Sequence, residues 1–81
     1  MEHIKTVDLS GLCCAQPIIK ITAELKPMPV GDILLAVSDK VSMLNDVPAY
    51  CQATHNPLIQ QSEENGVFKF WIRKENPRTG F

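Results

Sequence analysis

The chain has 81 residues, 44% of them hydrophobic and 21% charged, with eight basic and nine acidic side chains and a formal net charge of −1. That composition suits a folded globular domain and excludes a disordered chain, and the balanced charge provides no electrostatic footprint for nucleic acid or an anionic membrane. A chain this short buries roughly 60–65% of its unfolded surface, enough for one modest core, so any chemistry is expected at the surface and not in an internal cofactor cavity.

Residues 4–9 read as a first strand, which Ser10-Gly11 breaks. Over residues 17–26 the apolar period becomes helical, with Ile18, Ile21, Thr22 and Leu25 on one stripe. Pro17 suits the first helical turn, where its missing N–H costs nothing. The run Pro27-Met28-Pro29-Val30-Gly31 ends that helix. Residues 33–37 are continuously apolar, as in a strand buried inside a sheet, and strand, helix and strand in this order make a right-handed parallel unit.

A second helix is expected over residues 42–55, with Leu44, Val47, Cys51 and His55 along one face. Pro48 places its regular start near Asp46, a good N-cap residue, after one looser turn. Residues 58–63 and 67–74 read as strands joined at Asn65-Gly66, a strong hairpin signal. In the last strand Phe68, Phe70 and Ile72 point into the core and Trp71 points to the opposite, open face. The order βαβαββ, with only two helices to cover a four-stranded mixed sheet, predicts an α/β two-layer sandwich with both helices on one face. A single domain is expected over residues 1–75, followed by a flexible C-terminal tail over 76–81.

Three cysteines, two of them adjacent, do not resemble the even, widely spaced set of a secreted disulfide scaffold. The run Met1-Glu2-His3-Ile4-Lys5 lacks the apolar stretch of a signal peptide, and no run is long enough to span a bilayer, so a cytoplasmic protein is expected. The segment Asp8-Leu9-Ser10-Gly11-Leu12-Cys13-Cys14-Ala15-Gln16-Pro17 places a cysteine between a glycine turn and a helix N-terminus. The unpaired N–H groups of a first helical turn, here those of Ile18 and Ile19, favour an anion, so a thiol at Cys14 is expected to ionise readily and act as a nucleophile. Cys13 reads as a side chain of the preceding turn. Cys51 and His55 have metal-ligand spacing on a helix, but their place on the apolar face favours core packing, and no metal or cofactor is expected. Ile19 and Ala23 flank the main stripe and offer an apolar patch near Cys14. Trp71, between Lys69 and Arg73, is read as covering the open sheet face.

The cysteine segment resembles the signature of the TusA/SirA-like sulfur-carrier family, typically D-x-R-G-L-x-C-P-x-P. Asp8, Gly11, Leu12, Cys14 and Pro17 match at the right spacing. Gly31-Asp32, Asp46-Val47-Pro48, Cys51 and His55 resemble the later pattern of the family, so the similarity spans nearly the whole chain. Ala15 stands where the motif has its first proline, and Ser10 where it has arginine. The resemblance implies the βαβαββ fold and a sulfurtransferase-type carrier, not a stand-alone turnover enzyme. Cys14 would accept a persulfide sulfur from a cysteine desulfurase or rhodanese-type donor and relay it to an acceptor protein, for tRNA thiolation, cofactor sulfur supply or sulfur metabolism. The alternative is a non-catalytic RNA- or protein-binding regulatory module on the same fold, against which the net charge of −1 weighs where RNA is concerned. A thiol-redox protein ranks below both, because the chain has no C-x-x-C pair.

Overall fold

The structure is a computed structural model that describes residues 5–12 and 16–78. Its elements follow the expected order: β1 (Lys5–Asp8), α1 (Gln16–Leu25), β2 (Ile33–Ser38), α2 (Met43–Thr54), β3 (Leu58–Glu64) and β4 (Val67–Arg73). The four strands form one mixed sheet in the order β1-β2-β4-β3. β1 and β2 are parallel, as a strand–helix–strand unit requires, while β4 runs antiparallel to both of its neighbours. Asn65 and Gly66 both have positive φ, 52° and 78°, which is the geometry that joins two strands without splaying them. Within β3 the register slips between Leu58 and Gln60, leaving Ile59 as the extra residue of a bulge.

The core lies between the helices and one sheet face. Val7, Leu34, Ala36, Phe68, Phe70 and Ile72 come from the strands, Ile21 and Leu25 from α1, and Met43, Val47 and Cys51 from α2. The alternation read from β4 is therefore correct, and Trp71 lies half-buried on the opposite face, in register with Leu35. Among the described residues, no helix is long and apolar enough to cross a membrane.

The start of α2 departs from expectation. The helix begins at Met43 and not near Asp46, and Pro48 lies inside it. The approach is a tight turn in which the N–H groups of Met43, Leu44 and Asn45 donate to the carbonyls of Lys40, Val41 and Ser42. Asp46 falls in the first turn, where its charge complements the positive end of the dipole. An interior proline costs about 3 kcal/mol, but burying Met43, Val47 and Cys51 on one face returns about 1.5–3 kcal/mol for each large side chain. Packing therefore wins over the local preference.

Three polar ties complete the sandwich. Thr22 Oγ1 donates to the Ile18 carbonyl, so the Tyr50 hydroxyl donates to Thr22 at 2.7 Å and links the two helices. The buried Lys74 ammonium donates to the Lys26 carbonyl at 2.8 Å, just past the end of α1, where carbonyls are unpaired and the dipole is negative. Asn56 is fully buried, and its Oδ1 accepts the N–H groups of both Glu75 and Asn76 at 2.9 Å. The Asn76 Nδ2 in turn donates to the Thr54 carbonyl at 2.7 Å, so the chain past β4 is held against the end of α2.

The Asn56 contact predicts a measurable cost. Asn56→Ala strips the acceptor from two backbone donors at once, and stability is expected to fall by about 2–4 kcal/mol. Urea unfolding followed by circular dichroism checks this: the midpoint should drop with an unchanged slope.

Candidate functional site

Because β1 and β2 are parallel, their C-terminal ends emerge at one edge of the sheet, and α1 and α2 both start there. This edge is where open α/β sheets place their functional loops. The pairing does not stop with the strand: Leu9 N–H donates to the Val37 carbonyl at 2.7 Å, and the Leu9 side chain is completely buried. The main chain is thus pinned immediately before it turns.

The turn has two internal bonds. Asp8 Oδ1 accepts the Ser10 N–H at 2.9 Å, and Leu12 N–H donates to the Leu9 carbonyl at 3.1 Å. Gly11 occupies the third position of that turn with φ of +80°, a conformation that disfavours any residue with a Cβ. A third bond comes from outside: the Gly11 N–H donates to Asp39 Oδ1 at 3.3 Å, from the loop that follows β2. Leu12 then packs partly against the core.

The chain is described again from Gln16, the first residue of α1, followed by Pro17, which is buried. The expected nucleophile Cys14, together with Cys13 and Ala15, lies outside the described residues. What the structure establishes is the pair of anchors on either side: the Gly11–Leu12 turn and the first turn of α1, seated by the buried Pro17. The first-turn N–H groups of a helix have no acceptor within the helix and point away from it at its N-terminal end. Pro17 contributes none of these donors, so among the described residues Gln16 and Ile18 carry them.

The charges at this edge are mixed. The Ser10 backbone N–H, and then its side chain, hold the Asp8 carboxyl below its ordinary value, and the Lys20 ammonium adds a smaller pull in the same direction. Asp39 and Lys40 are both exposed beside it. Exposed apolar groups frame the charges: Ile19 on α1 is 51% exposed, Val41 in the loop after β2 is 69% exposed, and Ala23 is exposed one turn beyond Ile19.

Cys51 is a core residue, and burial pushes its thiol up to about 12. His55 is not on the apolar face. It is exposed in a left-handed conformation at φ 61° and ends α2, with the Asn56 N–H closing the last turn onto the Cys51 carbonyl. The sequence spacing of Cys51 and His55 therefore separates a buried thiol from an exposed imidazole, and no cluster of metal-ligating side chains occurs among the described residues. Sequence reasoning did not pick out Asp39, whose carboxylate meets the Gly11 N–H. Its only signal was an aspartate directly after a strand parallel to the one that leads into the glycine turn.

Comparison with known proteins bears on the family and the fold. The profile of the family described as "Sulfurtransferase TusA" matches residues 5–74. A protein named "Sulfur carrier protein TusA" from Pseudomonas fluorescens is 30% identical over 71 residues, covering 88% of this chain and 86% of the relative. The protein of the same name from Pseudomonas entomophila is 30% identical over 73 residues, covering 90% and 91%. The one from Buchnera aphidicola is 32% identical over 68 residues, covering 84% and 86%. Among solved structures, a SirA-like protein from Desulfitobacterium hafniense superposes with a TM-score of 0.77 at 18% identity, covering 89% of this chain and 99% of that one, which supports the fold.

The buried Cys51 thiol has a consequence for stability. Its folded pKa lies above that of an unfolded cysteine, so the native state keeps a proton that the unfolded chain releases. This contribution is fully present below about pH 8.5, the ordinary cysteine value, and is lost as pH rises toward 12. Urea midpoints measured across that range should fall with pH in the native protein. Cys51→Ala should be less stable at neutral pH, and its midpoint should fall less steeply above pH 8.5.

Proposed function

This chain belongs to the TusA sulfurtransferase family, and on that premise we propose that it is a sulfur carrier whose working group is the Cys14 thiolate. The observation that supports this most directly is the match over residues 5–74 to a family whose curated relatives are named sulfur carriers. The anchored turn at Gly11 and the N-terminus of α1 are consistent with it, because they frame the segment in which Cys14 lies.

The chemistry is two successive displacements at sulfur. The Cys14 thiolate attacks the outer sulfur of a donor persulfide; a new S–S bond forms to Cys14, the S–S bond of the donor breaks, and the donor leaves as a thiolate. An acceptor thiolate then attacks the outer sulfur of the Cys14 persulfide, and Cys14 departs as a thiolate. No net oxidant or reductant is consumed, and no cofactor is needed. An ionised thiol requires no general base, so the role of the fold is to hold the anion beside the first turn of α1. A donor of cysteine desulfurase or rhodanese type and an acceptor protein dock in turn, with the exposed Ile19 and Ala23 of α1 as the apolar ground. A reducing cytoplasm suits this chemistry, since it keeps the empty carrier as a thiol.

Intact-mass spectrometry of the protein exposed to a persulfide donor tests the reading. The native protein should gain one sulfur atom that reductant removes. Cys14→Ser should gain none while melting at the native temperature, and Cys51→Ala should load normally at a lower melting temperature. Undiminished loading of Cys14→Ser, or its loss in Cys51→Ala, would sink the assignment.

A further inference from the structure

We propose that Asp39 is the positioning residue of the cysteine segment, its carboxylate fixing where the chain leaves β1 on its way to α1. The proposal rests on Cys14 being the sulfur-bearing residue, and it begins from the bond between Gly11 N–H and Asp39 Oδ1 at 3.3 Å, which joins two loops 28 residues apart in sequence. The other bonds of the turn, from Ser10 to Asp8 and from Leu12 to Leu9, lie within the turn itself. They shape it without aiming it. The Leu9 N–H bond to the Val37 carbonyl ties the entry of the turn to β2, and Asp39 ties its far side, at Gly11, to the corner after β2.

Asp39 is suited to that task because its own backbone is held on both sides. Ser38 before it is fully buried in β2, and its Oγ accepts the Lys40 N–H at 3.1 Å. Lys40 after it accepts the Met43 N–H at the start of α2. The carboxylate thus sits on a short, fixed corner, and a group held from a rigid element positions a site more sharply than one on a free loop. Gly11, at φ +80°, has its N–H direction set by a turn that few other residues tolerate.

The sign of the charge separates geometry from electrostatics. A carboxylate near a thiol disfavours the thiolate, so an electrostatic role for Asp39 would work against a nucleophilic cysteine. What it contributes under this proposal is the geometry of the Gly11 turn, from which the chain runs on to the cysteine segment, and that gain outweighs any repulsion. Displacements of an ångström in such a site change rates by up to about a hundredfold.

Asp39→Asn and Asp39→Ala both remove the charge, but only asparagine keeps an oxygen that accepts the Gly11 N–H. Three readouts on the full chain distinguish them: amide exchange at Gly11 by NMR, the pH dependence of Cys14 alkylation by iodoacetamide, and sulfur loading from glutathione persulfide. In Asp39→Ala the Gly11 amide should exchange faster, the alkylation midpoint should move to higher pH despite the lost negative charge, and neutral-pH loading should fall about three- to tenfold. Asp39→Asn should keep the Gly11 protection, hold the midpoint at or below that of the native protein, and load at the native rate. Equal behaviour of the two variants in exchange or in alkylation overturns the proposal. If the native protein fails to load sulfur on Cys14, the carrier reading falls, and the exchange and alkylation readouts still decide the role of Asp39.

Discussion

The parallel pairing of β1 with β2 is the constraint from which the rest of this small structure follows. Two parallel strands must be joined by a crossover, and α1 is that crossover, packed back over the sheet. The same pairing sends both strand ends to one edge and brings the Gly11 turn beside the corner at Asp39. The bond from Leu9 N–H to the Val37 carbonyl carries the register one residue past the strand. A slip of one residue there would turn the Leu9 side chain out of the core and move the glycine turn away from Asp39. Register, core and turn are therefore one condition.

With a core this small, each polar group taken inside has to be satisfied by a specific partner. Asn56 replaces sheet bonds that the chain beyond β4 no longer makes, and Lys74 supplies a cation to the end of α1. Both residues hold the edge of the molecule opposite the Gly11 turn, where β4 ends and α1 finishes. The cysteines divide along similar lines. The Cys51 thiol is removed from chemistry by burial, which keeps it protonated well beyond neutral pH. The carrier function proposed above accordingly rests on Cys14 and not on Cys51.

Patterns set by immediate neighbours were legible in the sequence. The alternation of Phe68, Phe70 and Ile72, the turn at Asn65-Gly66 and the stripe on α1 depend on local period and on backbone freedom, and each appears as read. The errors came where tertiary packing overrules a local rule. Pro48 and Asp46 argued for a late start to α2, but burial of Met43 draws the helix three residues earlier. His55 followed the helical stripe on paper, yet the helix ends before it, and its left-handed backbone turns the side chain to solvent. Asp39 was invisible for the converse reason. Its place directly after a strand marks it only faintly, and its contact with Gly11 exists only once β1 and β2 are paired.

Ser10, where the family motif carries arginine, bears on how such a carrier divides its work. A nearby arginine would lower the thiol pKa, whereas Lys20 is seen to add a small pull on the Asp8 carboxyl. Consider a thiol whose pKa rises by one unit from near neutrality. Its thiolate fraction at pH 7 falls about fivefold, while the thiolate that remains becomes about threefold more nucleophilic, since nucleophilicity follows basicity with a coefficient of about 0.4–0.5. Loading therefore loses little. Delivery is different, because Cys14 is then the leaving group, and a more basic thiolate leaves more slowly. Loss of the cation weighs on handing the sulfur over more than on accepting it. Under the proposed Cys14 chemistry, a carrier with serine at this position is expected to hold its sulfur longer and to depend more on its acceptor to stabilise the departing thiolate.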